Sequence, residues 1–195
     1  MKNTDLTTNK LPPQNIEAEQ SVLGAIMIEN DAFPKIIELI TREDFYRESH
    51  RKIFDAMIGL FEKSEPIDLI TISEELRKRN DLDAVGGEPY LSALASQVPT
   101  AANIKYHSKI IHEKALMRSL IKSASEIAGK VYEDNMDADE LVDNAERIIF
   151  NISDKRIKAS FVTLKDLIKG SFETIEYLYD KKSAITGVAS GFTQL

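Results

Sequence analysis

The sequence predicts an all-α protein, in which a globular multi-helix head is followed by an antiparallel helical hairpin and a separate amphipathic linker helix. Three observations lead to this class. Apolar residues recur at helical spacing along almost the whole chain, and no segment shows the alternation of a half-buried strand. Proline and glycine divide the first hundred residues into short segments. From Ala101 to about Glu133, by contrast, no proline occurs and Gly129 is the only glycine.

The composition is that of an ordinary globular protein, with 43% hydrophobic and 29% charged residues. The net charge is -7, because residues 1–100 hold 11 basic and 18 acidic side chains while residues 101–195 hold 14 of each. Neither half has the basic excess of a domain that grips nucleic acid by its phosphates. The sequence has no cysteine, no signal peptide and no apolar run of membrane-spanning length, so a cytoplasmic location is expected.

The head is predicted to span residues 12–100, after a flexible tail at 1–11. Its first helix covers about 16–28, where apolar residues lie three and four positions apart. The starts of later head helices are marked by capping residues and by a proline suited to a first helical turn. These markers are Asp31, Ser49, Asp68 and Pro89, the last of which follows a turn at Gly86-Gly87.

Residues 101–153 are predicted to form a long helix and a hairpin that turns near Glu133-Asp134-Asn135. Spacings of four and three predict a packing face on each arm, and a second apolar stripe lies beside each face. Because one partner helix cannot cover both stripes, we expect the hairpin to self-associate. The alternative is that the head covers the second stripe. The predicted self-association residues are Met117, Ile121, Ala124, Ala128, Val131, Leu141, Ala145, Ile148 and Ile152.

A charged linker at 154–162 is predicted to precede an amphipathic helix at 163–181. Such a helix needs a surface to dock on, either on the head, on another chain or on a further domain. Its predicted docking residues are Leu164, Leu167, Ile168, Phe172, Ile175 and Leu178. Residues 182–195 show no clear period.

The search for catalytic, cofactor and metal sites is negative. The one Gly-Lys pair, Gly129-Lys130, is followed by Val131 and lies within a helical segment, unlike a phosphate-binding loop. His107 and His112 are five residues apart and so fall off a common helix face. We therefore expect no catalysis, no bound cofactor and no metal in this chain.

Five strings, in order along the chain, resemble replicative DNA helicases of the DnaB family. PPQNIEAEQSVLGAIMI begins at Pro12 and looks like the opening of that family. DFYRESHRKIF, GGEPYL and VPTAANIKYH follow from Asp44, Gly86 and Val98. ITGVASGFTQL resembles the entry into the family's RecA-like motor, through Thr186, Gly187, Ser190, Gly191 and Phe192.

The resemblance implies a hexameric ring that encircles single-stranded DNA and unwinds it with ATP and Mg. In that family the N-terminal hairpins pair, so that six copies build a collar of three dimers. The collar receives primase and, in some systems, responds to a helicase loader. Tyr90, Ile121 and Ile127 are candidate primase contacts here, at the meeting of head and hairpin; the alternative is that all three are buried core. The family's nucleotide loop would lie beyond Leu195, so we expect a fragment, truncated before the motor, without ATPase or unwinding activity.

A motor-less adaptor or loader-like protein with the same helical fold is the alternative. The neutral charge of residues 101–195 and the lack of a catalytic cluster are compatible with it. A reading frame that continues into a glycine-rich Gly-Lys-Thr/Ser loop would favour the helicase.

Overall fold

The computed structural model describes residues 11–133 and 137–156. Within these ranges the chain is helical and contains no strand, which confirms the predicted fold class. The six α-helices are α1 (Ile16–Ile28), α2 (Glu48–Glu62), α3 (Leu69–Lys78), α4 (Gly87–Gln97), α5 (Ile104–Tyr132) and α6 (Ala138–Arg156). None of these helices is long and apolar enough to cross a membrane.

Helix α1 lies at the centre of the head, and its bounds are those that the apolar spacing predicts. Asn15 caps it, because its side-chain oxygen accepts a hydrogen bond from the Ala18 N–H at 3.0 Å. Eight of its 13 residues are buried, since α2, α4 and α5 all pack against it. Gly24 permits the close approach of α4: a Cβ at this position would collide with the main-chain oxygen of Leu94 and lie 2.8 Å from Val98 Cγ2.

The two segments that join α1 to α2 are short 3-10 turns, Asn30–Lys35 and Arg42–Asp44. The short helix predicted after Asp31 is thus present as a 3-10 helix, but Glu29 and not Asp31 occupies its capping position. Pro34 lies inside the first of these turns. Phe33 from this turn packs edge-on against Phe61 with a ring-centre distance of 5.0 Å, and also against Phe54. The turn therefore contributes directly to the aromatic core.

The structure confirms one of the predicted helix-capping residues and not another. Asp68 caps α3 as expected, because its carboxylate accepts hydrogen bonds from the N–H groups of Ile70 and Thr71, both at 2.9 Å. Ser49 does not cap α2, which begins one residue earlier at Glu48 with Arg47 in the capping position. Gly86 precedes α4 with φ at 103°, a left-handed conformation that glycine adopts without strain.

Helix α5 is buried in the head only at its beginning. Ile104, Ser108 and Ile111 are buried against it, and no later residue of this helix is. The helix then runs on for 21 residues, which corresponds to about 30 Å. Helix α6 packs against this extension to form the hairpin, and it continues to Arg156, beyond the residue 153 where the hairpin was predicted to end.

A charge cluster joins α2 to α3. The Glu75 carboxylate accepts hydrogen bonds from Arg79 Nε at 2.8 Å and from Lys63 Nζ at 3.1 Å, and Arg79 also pairs with Asp55 at 3.1 Å. The hydrogen bond from Arg79 and then that from Lys63 lower the pKa of Glu75, against the opposing effect of burial. Ionised Glu75 therefore holds the end of α2 to the end of α3.

Replacing Gly24 with alanine is expected to destabilise the head by about 1–3 kcal/mol, because the added methyl group forces α1 and α4 apart. Gly129→Ala is the matched control. A Cβ there meets nothing within 4 Å, so this variant should gain about 0.5–1 kcal/mol from helix propensity. Urea denaturation followed by circular dichroism measures both, and equal stabilities of the two variants would contradict the packing.

Glu75→Gln is expected to remove a pH-dependent part of the stability. A carboxyl group whose pKa is lowered by folding stabilises the native state above its unfolded pKa, and this contribution disappears as the pH falls through the lower folded pKa. The difference in free energy of unfolding between wild type and variant should thus be present at neutral pH and shrink below about pH 4.5, the ordinary value for glutamate. Glu74→Gln is the control, since Glu74 pairs with Arg77 at the exposed surface, where an ion pair contributes little to stability.

Candidate assembly surface

The interior of the hairpin is formed by one face of each arm. On α6, Leu141, Ala145 and Ile148 are half-buried and Ile152 is 6% exposed. On α5, Ile127 and Lys130 are half-buried, and Lys130 Nζ donates a hydrogen bond to Asn144 Oδ1 at 2.9 Å. These contacts identify the faces that pack within a single chain.

A different face of α5 is open to solvent. It consists of the five α5 residues predicted for self-association, which we call the outer stripe: Met117, Ile121, Ala124, Ala128 and Val131. Met117 is 45% exposed, Ile121 54% and Val131 56%. The stripe spans 14 positions, or about 21 Å along the helix, and presents apolar area that neither the head nor α6 covers.

The structure thus divides the nine residues predicted for self-association. The five on α5 are exposed, whereas the four on α6 pack inside the hairpin. Spacing shows that residues share a face, but two adjacent stripes on one helix have the same spacing, so the pattern does not tell which one meets the partner arm. The exposed apolar residues of α6 are instead Val142, Ile149 and Phe150, which are 58%, 46% and 69% exposed.

Phe150 and Tyr132 were missed by the sequence analysis. Tyr132 is 89% exposed at the last position of α5. Phe150 lies eight residues after Val142, and an i, i+4, i+8 count along α6 through Glu146 would have placed it on the same face. An aromatic side chain this exposed adds large apolar area to the surface of the hairpin.

Tyr90, one of the three candidate primase contacts, is bound into a buried hydrogen-bond network. Its hydroxyl lies 2.7 Å from His50 Nε2, and Gln20 Nε2 donates to it at 3.3 Å. His50 is fully buried, and its Nδ1 lies 2.6 Å from Glu19 Oε2. The rings of His50 and Tyr90 are nearly parallel, at 8°. Tyr90 therefore joins α4 to α1 and α2 and offers a partner only its remaining exposed edge.

The other two candidates have different environments. Ile121 belongs to the exposed outer stripe, while Ile127 is half-buried on the face toward α6. Of the three, Ile121 is the most accessible to another protein.

Arg118 connects the base of the hairpin to the head, a role that no sequence pattern had indicated. Its guanidinium donates hydrogen bonds to the main-chain oxygens of Pro13, at 2.8 Å, and of Asp44. It also lies 5.7 Å from the centre of the Tyr46 ring. Burial lowers the pKa of Arg118, and the nearby negative charge of Glu19 opposes this effect.

The candidates for metal binding are dispersed. His50 lies in the core, His107 stands beside Tyr106, and His112 Nδ1 is 3.3 Å from Asp44 Oδ2. In the part of the chain that the structure describes, no cluster of three or more histidine or carboxylate side chains is arranged to hold a metal ion. The predicted linker helix at 163–181 and its docking residues lie outside that part.

The family model described as "DnaB-like helicase N terminal domain" matches residues 11–113. The chain belongs to this family. The match covers the whole head and the anchored start of α5, and so ends just before the outer stripe.

Curated relatives extend the similarity of this DnaB-family chain over almost its full length. It is 43% identical to the replicative DNA helicase DnaC of Bacillus subtilis and 41% identical to the replicative DNA helicase DnaB of Geobacillus stearothermophilus, over 98% of this chain in each case. The chain spans 42% of the length of each of these relatives.

Solved structures of DnaB proteins have the same fold. The N-terminal domain of DnaB helicase from Mycobacterium tuberculosis is 39% identical, with a TM-score of 0.70 over 73% of this chain and 99% of that one. A DnaB-like replicative helicase, solved in a study of its interactions with primase, is 27% identical. Its TM-score is 0.66, over 92% of this chain and 40% of that one.

Proposed function

We propose that this chain is the N-terminal collar of a hexameric replicative DNA helicase, which assembles subunits through its hairpin and recruits primase. The exposed outer stripe of α5 is the observation that carries the proposal. A continuous apolar stripe on a helix that projects from the head is the kind of surface that another copy covers. Membership of the DnaB family supports a role within a replicative helicase, since the relatives named above are replicative helicases.

The size of the stripe indicates how pairing would work. Fully burying one large apolar side chain is worth about 1.5–3 kcal/mol, and the three large residues of the stripe are already about half covered. About 1 kcal/mol each is therefore left to gain, or about 6 kcal/mol for two copies. Association costs about 4–15 kcal/mol. A stable pair would consequently also need the α6 residues Val142, Ile149 and Phe150.

ATP hydrolysis and unwinding are proposed for the parent helicase and not for this chain. The one Gly-Lys pair does not fit a nucleotide: Gly129 is exposed near the C-terminal end of α5 and has no glycine-rich loop around it. ATP and Mg would bind a motor domain, and single-stranded DNA would pass through the assembled ring. The acidic charge of the first hundred residues is consistent with little direct DNA binding by the head.

Ile121→Asp is expected to weaken self-association by at least about tenfold, because a carboxylate must be desolvated in the apolar contact. Analytical ultracentrifugation at several concentrations measures the shift toward monomer, and circular dichroism checks the helix content. Ile70→Asp is the control, since Ile70 is 74% exposed on α3 of the head. A wild-type chain that is monomeric at high concentration, or a variant with unchanged assembly, would refute the outer stripe as the contact.

Polar substitution at Tyr90 and Ile127 together (Tyr90→Ser, Ile127→Ser) is expected to lower the affinity for the helicase-binding part of primase by about tenfold or more. Tyr106→Ser is the control, since Tyr106 is 67% exposed near the start of α5. Tyr90→Phe separates binding from folding. It should keep most of the binding while losing about 1–3 kcal/mol of stability, since the hydrogen-bond partner of buried His50 is gone. Isothermal titration calorimetry measures the affinity for primase. If the folded double variant binds primase as tightly as the wild type, Tyr90 and Ile127 are not primase contacts.

A further inference from the structure

A cavity of about 410 Å³ opens where α5 leaves the head. Its wall combines three elements: the 3-10 turn at Arg42–Asp44, the first turn of α2 and the middle of α5. Ser119, which lines it, is two positions from both Met117 and Ile121, which is roughly half a turn of rotation around the helix. The cavity therefore opens on the side of α5 opposite to the outer stripe, and assembly through that stripe would leave it free.

Among the charged side chains that line this cavity, the positive ones have fewer oppositely charged partners than the negative ones. Arg51, Arg118 and Lys122 line it together with the imidazole of His112. Two carboxylates, those of Glu43 and Asp44, are also present, but they have other partners. Asp44 Oδ2 accepts the Thr41 N–H at 2.9 Å and faces His112 Nδ1, while Glu43 pairs with Arg42 at 3.4 Å.

The cations are less well compensated. The two hydrogen bonds of Arg118 go to main-chain oxygens, and within residues 11–133 and 137–156 it pairs with no carboxylate. Lys122 is exposed and forms no ion pair in the same ranges. Arg51 has a carboxylate partner, Glu48, at 3.1 Å, but that partner lies at the exposed surface. The burial that lowers the pKa of Arg118 also means that an anion beside it would be bound favourably, since it restores the solvation that the guanidinium has lost.

We propose that this cavity is a binding site for a small organic phosphate. A guanidinium and an ammonium group on adjacent turns of one helix suit the several oxygens of a phosphate, because Arg118 keeps three of its five N–H donors besides the two that bind main-chain oxygens, and lysine acts as a point charge. The volume is within the range of small-molecule pockets and larger than a bare ion requires. Ala115 and Leu116 provide apolar wall for the carbon part of the ligand.

Binding would have a structural consequence. The ligand would connect Arg51 of the head with Lys122 of the projecting helix, and so add to the contacts that Arg118 makes with Pro13 and Asp44 and that His112 makes with Asp44. The hairpin would thereby be held more firmly at its base, and the folded chain would be stabilised by linkage.

The test is a titration of the full 195-residue chain, followed by two-dimensional ¹H–¹⁵N NMR at constant ionic strength. Ribose 5-phosphate is the main probe, with inorganic phosphate, ribose and citrate as comparisons. We expect saturable shifts for the amides of residues 43–51 and 112–122 with ribose 5-phosphate, weaker binding of inorganic phosphate, and none of ribose. Absence of saturation at millimolar ribose 5-phosphate overturns the site, and tighter binding of citrate overturns the assignment to phosphate.

Lys122→Glu is expected to lower the affinity for ribose 5-phosphate by at least about tenfold, because one charge-assisted hydrogen bond is lost. Lys109→Glu is the matched control, because Lys109 is exposed on the same helix and lies outside the cavity. Lys122→Gln repeats the measurement without reversing the charge. Equal affinity of the wild type and both Lys122 variants would refute the proposal. Ile121→Asp should keep its affinity for the phosphate, so failure of the collar model and failure of this site are distinguishable.

Discussion

The fold depends on one buried carboxylate, that of Glu19 in the first turn of α1. Glu19 is 1% exposed, and a carboxyl group removed from water in this way is costly unless it is hydrogen-bonded. Glu19 meets this requirement with groups from outside its own helix: the N–H of Tyr46 at 2.6 Å, the N–H of Arg47 at 3.4 Å and the ring of His50. The start of α2 is therefore held against α1, and through His50 the hydroxyl of Tyr90 holds α4 as well.

The base of the hairpin depends on the same region. Arg118 lies close enough to Glu19 for the carboxylate to affect its pKa, and it binds the main chain of Asp44 on the turn that leads into α2. Beyond this point the head provides no cover for α5, and α6 covers only one face. The same geometry that anchors α5 firmly at its base leaves the outer stripe exposed along its extension, which is why we propose assembly as the function of this surface.

Much of the fold was predictable because it depends on local patterns. The apolar spacing located α1 at 16–28, and Asp68 marked the start of α3, since a capping carboxylate acts on N–H groups only two and three residues away. The short helix predicted after Asp31 forms as a 3-10 helix that begins at Asn30, so Asp31 lies inside it and does not cap it. Glu19 and His50 could not be paired from the sequence, because they are 31 positions apart and neither belongs to a spacing pattern. The role of Arg118 could not be predicted either, because its partners are main-chain oxygens, which every residue has.

The sequence by itself determined that the chain is helical, that a head precedes a hairpin and that each arm has two apolar stripes, because these properties follow from the period of the helix. Only the tertiary structure decided which stripe remains exposed. On α6 the predicted residues turn inward to α5, and on α5 they turn outward, since the rotation of each helix is set by its contacts with the other and with the head. The tertiary structure also created the cavity beside Arg118, because it brings together side chains from three elements that are far apart along the chain.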